Sequence, residues 1–164
     1  MSLYFNTIGI LSAISINNFL IKDNPKLILL GGVGIIKEGV IRLPEKGVLN
    51  SHPGSLPEYR GSYVVQWAIK NNEPIAITVH MVDEGIDTGN IILSQKVDLP
   101  KTKSFSYINN YITKLQAENL VLAAKNLSVN SCVPITKTNN CDFPLYSMMK
   151  PKELFETYKI LWNN

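Results

Sequence analysis

The sequence predicts an α/β domain in which helices cover a mostly parallel sheet. Helical and strand-like apolar patterns alternate along the chain. The clearest strand, residues 27–30 in KLILLGG, is apolar without interruption, as in a parallel sheet covered on both faces. A length of 164 residues with 45% hydrophobic composition suits one domain with a real core.

The elements follow in order. Ile8, Leu11, Ile14 and Ile21 recur at helical spacing, so the first helix spans 8–21 and stops before Pro25. Strand 27–30 ends in Gly31 and Gly32, which let the chain turn sharply. GVLN at 47–50 is a second, short strand, and 63–70 is helical. IAITVHMV at 75–82 is rich in β-branched residues and forms a third strand; DEGIDTGN at 83–90 is a turn, and IILSQKV at 91–97 is the next strand. A long helix covers 104–126, its core face supplied by Phe105, Ile108, Tyr111, Ile112, Leu115, Leu120, Leu122 and Ala123. Residues 127–150 are irregular, and Pro151 suits the first turn of a last helix. With no internal repeat and no low-complexity linker, residues 1–164 are expected to form a single domain.

Composition removes several function classes. The formal charge of +3 is small and its lysines and arginines are scattered, so no dedicated nucleic-acid or membrane surface is expected. Lys22 is the first basic side chain, and Ser12, Ser15, Asn17 and Asn18 interrupt the early apolar run, which argues against a secretory signal; no run is long enough to span a membrane. Cys132 and Cys141 are too few for a disulfide framework or a four-ligand zinc site. A cytoplasmic location is expected, where the sequon Asn126-Leu127-Ser128 carries no meaning.

Chemistry concentrates in two stretches. In LNSHPGSLPEYRG, Asn50 and His52 stand two apart at a strand end, which aims both into the crevice outside the sheet. A carboxamide there can donate to an oxyanion, and an imidazole can move a proton. The turn 83–90 offers Asp83, Glu84 and Asp87; Asp87 stands between two glycines at the same sheet edge and suits the third partner that would orient the imidazole. One nearby histidine and no cysteine make a thin metal-ligand set, so no metal is expected. GGVG at 31–34 is no dinucleotide fingerprint, because Lys37 stands where its last glycine belongs, and it is better taken as a pocket wall. His80, alternating along its strand, is taken as a packed or hydrogen-bonded strand histidine.

With these residues in hand, the chain resembles the folate-dependent formyltransferases, whose members act on methionyl-tRNA, glycinamide ribonucleotide and amino sugars. The resemblance rests on Asn50-Ser51-His52-Pro53, Gly54-Ser55-Leu56-Pro57, Arg60-Gly61 and Asp83-Glu84-Gly85-Ile86-Asp87-Thr88-Gly89, and covers about residues 24–125. It implies a three-layer Rossmann-like fold and a catalytic trio of Asn50, His52 and Asp87, with Asp87 making His52 more basic. It also implies a pterin site at Val33, Gly34, Ile35 and Ile36, helped by Gly54, Ser55, Leu56, Pro57 and Asp83. The cosubstrate it implies is 10-formyltetrahydrofolate, with no metal.

Ser55 departs from the leucine usual in that loop, and Asn90 stands where Asp is common. Family domains begin with strands before the position of Asn24, where this chain has one predicted helix. The first family strands are therefore expected to be missing, leaving 27–30 as an edge that is expected to drive a homo-oligomer, the alternative being cover by the N-terminal segment. The run YRGSYVVQWAIKNNE is more like the tRNA and sugar enzymes than the purine-pathway enzyme. The expected acceptor is the amine of a small molecule such as an amino sugar. Methionyl-tRNA is the alternative, and a non-catalytic binding module of the same fold is the rival from a different class.

Overall fold

The computed structural model describes residue 22 and residues 24–32, 34–129 and 143–163. The expected helix at 8–21, Val33, Cys132 and Cys141 lie outside the described residues. Strand β1 (Ile28–Leu30) leads through α1 (Glu38–Ile41) to β2 (Val48–His52) and a short β3 (Arg60–Gly61). Then come α2 (Val64–Asn71), β4 (Ile75–Met81), β5 (Ile91–Val97), the long α3 (Phe105–Val129), β6 (Leu145–Tyr146) and α4 (Pro151–Asn163).

The main sheet has the order β1-β2-β4-β5. It is mixed, which corrects the expectation of a mostly parallel sheet: β1 and β2 run parallel, but β4 is antiparallel to both β2 and β5. The turn after β4 connects directly to β5, and so short a connection joins only antiparallel strands. Unbroken burial misled here, because β4 is buried on both faces through Ile75 to His80 while pairing antiparallel. The strand at 27–30, expected to be buried on both faces, is only half-buried, since β1 forms one edge of the sheet among the described residues.

Alternation divides the central strands into two faces. Leu49, Ile75, Ile77 and Val79 join the apolar cores with Val65 and Ala68 of α2, Ile108, Ile112 and Leu120 of α3 and Leu161 of α4. Leu49 and Ile77 are wholly inaccessible, and burial of each side chain contributes about 2 kcal/mol. The other face of β2 and β4 carries Asn50, His52, Thr78 and His80.

Local chemistry sets the helix starts. The Ser104 hydroxyl accepts the Tyr107 N–H, capping α3, and Glu153 accepts the Lys150 N–H at the head of α4, where Pro151 sits. Leu122, expected in the α3 core face, is exposed instead.

One group of contacts could not be foreseen. In the stretch expected to be irregular, β6 pairs parallel with β3, Tyr146 stacks on Tyr59, and the Trp67 indole donates to the Ser147 carbonyl. The chain's C-terminal part thereby braces the loop that follows β2.

Candidate active site

Asn50 and His52 project from the end of β2 on the face away from α3. In register across β4 lie His80, opposite Asn50, and Thr78, opposite His52. The His52 ring is 4% exposed; its Nε2 lies 2.7 Å from the Tyr59 carbonyl and its Nδ1 3.4 Å from Asp87 Oδ2. A carbonyl only accepts, so Nε2 carries a hydrogen and Nδ1 is the atom that faces the carboxylate.

The loop 54–57 is tied down from below. Thr78 Oγ1 donates to the Gly54 carbonyl at 2.7 Å and accepts the Leu56 N–H, and Ser55 O accepts the Tyr59 N–H. A β-carbon on Gly54 would lie 2.6 Å from the Tyr59 carbonyl oxygen and 2.8 Å from His52 Nε2, so only glycine leaves that bond intact.

Asp87 is delivered by the turn between β4 and β5. Asp83 Oδ1 accepts the Gly85 N–H and the Thr88 hydroxyl, which closes the turn on itself. The Arg60 side chain donates to the Ile86 carbonyl at 3.0 Å, and the Gly61 N–H donates to Asp87 Oδ2 at 2.9 Å. The Arg-Gly pair of the sequence motif is thus the clamp on this turn. Asp87 itself has φ +53°, a left-handed conformation that Asp tolerates better than most residues.

His80 completes the cluster. Its Nδ1 lies 2.9 Å from the Met81 carbonyl, and its Nε2 lies 3.3 Å from Asn50 Nδ2 and 3.6 Å from Asp87 Oδ1. The expectation of a hydrogen-bonded strand histidine describes it, but its place among Asn50 and Asp87 was missed. The antiparallel register would have shown it; the expected parallel sheet concealed it.

Burial is the main influence on His52 and lowers its pKa; Asp87 and the Tyr59 carbonyl pull it up but do not prevail. The expectation that Asp87 makes this imidazole more basic describes that contact, whose effect burial outweighs. Asp87 is held below the usual carboxylate value: burial alone would raise it, but the neighbouring His80 and His52 rings and the Gly61 N–H outweigh burial.

The other expected residues fall on the loop after β1, the loop after β2 and the turn after β4. Leu30 pairs with Asn50, so the loop bearing Gly34, Ile35 and Ile36 leaves the sheet at the level of the site. Ile35 is 87% exposed. Gly54 and Leu56 are buried, Ser55 and Pro57 half-buried, and Asp83 is exposed with its Oδ1 engaged in the turn. Beyond Gly61 opens a cavity of about 170 Å³, lined by Pro53, Tyr63, Gln66, Asn109, Thr113 and Gln116 among others. Among the described residues no cluster of His, Cys, Asp and Glu could hold a metal ion, and no helix is long and apolar enough to cross a membrane.

Residues 16–124 match the formyl transferase family. A methionyl-tRNA formyltransferase from Caldanaerobacter subterraneus subsp. tengcongensis is 33% identical over 113 residues, covering 68% of this chain and 37% of that protein. Among solved structures, the formyltransferase PseJ from Anoxybacillus kamchatkensis, in complex with UDP-4,6-dideoxy-4-formamido-L-AltNAc and tetrahydrofolate, superposes with TM-score 0.65 at 18% identity, covering 87% of this chain and 71% of that one. A methionyl-tRNA formyltransferase from Clostridium thermocellum gives TM-score 0.64 at 23% identity, covering 84% and 57%. The structural likenesses establish an α/β formyltransferase fold. The chain belongs to the formyl transferase family, and it spans less than half the length of the curated relatives it matches.

Proposed function

We propose that this chain transfers a formyl group from 10-formyltetrahydrofolate to the amine of a small molecule such as an amino sugar. The observation that carries the reading is the His52 Nδ1–Asp87 Oδ2 pair at 3.4 Å on the sheet face that also presents Asn50.

The residues fit such a donor. Ile35, in the loop that follows β1, leaves an apolar side chain in solvent that a flat ring system could cover, and the Thr78-anchored loop 54–57 gives a rigid wall beside His52. When bound, 10-formyltetrahydrofolate supplies an activated formyl carbon and a nitrogen leaving group. Asn50 offers an amide donor to the formyl oxygen. His52 has its Nε2–H committed to Tyr59, so Nδ1 is where a proton can be taken from the attacking amine and returned to the departing nitrogen. The ionised Asp87 stabilises the imidazolium while Nδ1 holds that proton.

The cavity beyond Gly61 supports a hydroxyl-rich acceptor. Gln66, Asn109, Thr113 and Gln116 both donate and accept, as sugar hydroxyls do, and no charged side chain is among its lining residues. A methionyl-tRNA acceptor is the second reading, favoured by the names of the relatives that share about 30% identity. We also infer self-association through the β1 edge.

The test is calorimetric titration with a non-reactive 10-formylfolate analogue, followed by formyl-transfer assays with nucleotide-linked amino sugars and with methionyl-tRNA. Binding with turnover of an amino sugar supports the proposal. Turnover of methionyl-tRNA alone moves the acceptor to the second reading, and binding without any turnover indicates a non-catalytic module.

A further inference from the structure

His80 is buried to 2% exposure, lies directly across the sheet from Asn50, and has no part in the proton path through His52. A register irregularity in the β4–β5 pairing falls between Val79 and His80, and such irregularities re-aim a side chain where regular pleating would not. Its two nitrogens meet different partners. Nδ1 faces the Met81 carbonyl at 2.9 Å, which only accepts, so Nδ1 carries the hydrogen. In the neutral ring Nε2 then has a lone pair, and Asn50 Nδ2 stands 3.3 Å from it as a donor. Asp87 Oδ1, at 3.6 Å, is an acceptor and cannot serve an unprotonated Nε2.

A carboxamide is nearly symmetric in shape, and its two ends do opposite chemistry. Without a partner that distinguishes them, Asn50 could present either its oxygen or its nitrogen to the cleft. We propose that His80 is a positioning residue, held by the Met81 carbonyl in the tautomer whose Nε2 accepts one N–H of Asn50, so that the second N–H of the same nitrogen is fixed as the donor to the reacting carbonyl. This rests on the formyl-transfer reading, and it adds a second tier to the site: His52 and Asp87 manage the proton, while His80 fixes the polarity of the amide. The groups facing His80 are Asn50, Met81 O, Asp87 and, ring to ring at 6.5 Å, His52. Adding a proton to Nε2 would replace the bond from Asn50 with one to Asp87 and release the amide.

Two measurements on the whole chain test this separately from the assay of function. Nitrogen-15 NMR of the histidine rings at pH 8 should show His80 with a protonated Nδ1 and an unprotonated Nε2, and the Asn50 side-chain amide should have one proton shifted and slowed in exchange. In His80→Leu that amide proton should become ordinary, kcat should fall by roughly tenfold or more because an oxyanion donor is misdirected, and KM for the folate should hold within about twofold. His80→Gln, whose side-chain oxygen can accept from Asn50, should recover most of kcat. A His80 ring protonated at Nε2, an unchanged Asn50 signal in His80→Leu, or equal kcat in the Leu and Gln variants would each overturn the proposal. A wild-type chain that formylates no amine, with the tautomer and amide signals as stated, refutes the formyl-transfer reading and the catalytic consequence of His80 with it, and retains only the orientation of Asn50.

Discussion

The rings of Tyr59 and Tyr146 stack 4.9 Å apart and only 3° from parallel, linking the loop after β2 to a strand almost ninety residues downstream. The carbonyl of Tyr59 is the acceptor that fixes His52, so this stack supports the site from outside. Tyr146 also lies against Trp67. Tyr146→Ala should destabilise the fold by about 2 kcal/mol, from lost burial and ring stacking, and lower formyl transfer, whereas Tyr146→Phe should keep both. Urea unfolding beside activity measurements checks this; an Ala variant as stable as the Phe variant would show that the stack contributes nothing.

The trio makes its own prediction. Asp87→Asn keeps the shape and an oxygen for the Gly61 N–H but removes the charge that stabilises a protonated His52. Turnover should fall roughly a hundredfold or more in Asp87→Asn and in His52→Ala, with affinity for a folate analogue nearly intact, because in the proposed mechanism these groups act on charge that develops during reaction. Stopped-time assays and calorimetry separate the two quantities. Undiminished turnover in Asp87→Asn would remove the carboxylate from the mechanism.

Much of the site was legible because its motif residues carry distinct chemistry: Asn50, His52 and Asp87 each stand out as side chains that a plain core would not use. The clamp by Arg60 and Gly61 on the Asp87 turn could be located as a motif, though not explained, until the turn and β3 lay side by side. His80 and Thr78 were hidden because their role comes from cross-strand register, and β4 has the same unbroken burial whether its neighbours run parallel or antiparallel. The β3–β6 pairing was illegible for a related reason. Two-residue strands have no periodicity, and the partner segments are separated by most of the domain.

The titrating groups predict how stability depends on pH. Burial lowers the His52 pKa below 6.5, and Asp87 lies below 3.8 because its hydrogen bonds and the His52 charge outweigh its burial. In both cases the unfolded chain holds its proton at higher pH than the folded one, so acid favours unfolding. The His52 contribution is full above pH 6.5 and is lost as pH falls through its folded value; that of Asp87 follows below 3.8. Unfolding midpoints measured from pH 8 downward should therefore decline below 6.5 in the wild type and decline less steeply in His52→Gln. Parallel curves for the two proteins would contradict the depressed imidazole.

Strand β1 uses one edge to pair with β2, and among the described residues its other edge has no strand beside it. Light scattering should give a mass above that of the monomer. Ile28→Lys, which sets a charge on that edge, should shift the mass toward the monomer. A monomeric wild type at high concentration would count against association through this side.

The sharpest steric prediction falls on Gly54. Its hypothetical β-carbon meets a backbone oxygen, Tyr59 O at 2.6 Å, and the ring of His52 at 2.8 Å, and neither is the loose end of a flexible chain. Gly54→Ala must therefore push apart the His52–Tyr59 pair, whose own separation is 2.7 Å. The loop cannot retreat cheaply, because Thr78 holds the Gly54 carbonyl and the Leu56 N–H from the sheet. The expected result is a loss of about 1–3 kcal/mol of stability, typical of overpacking a tight site, together with a change in the His52 ring signals by NMR as Nε2 loses its acceptor. Ser55→Ala, one residue along on a half-buried side chain, should do neither. If Gly54→Ala is as stable as wild type with an unchanged His52 ring, the carbonyl of Tyr59 is not what holds the imidazole.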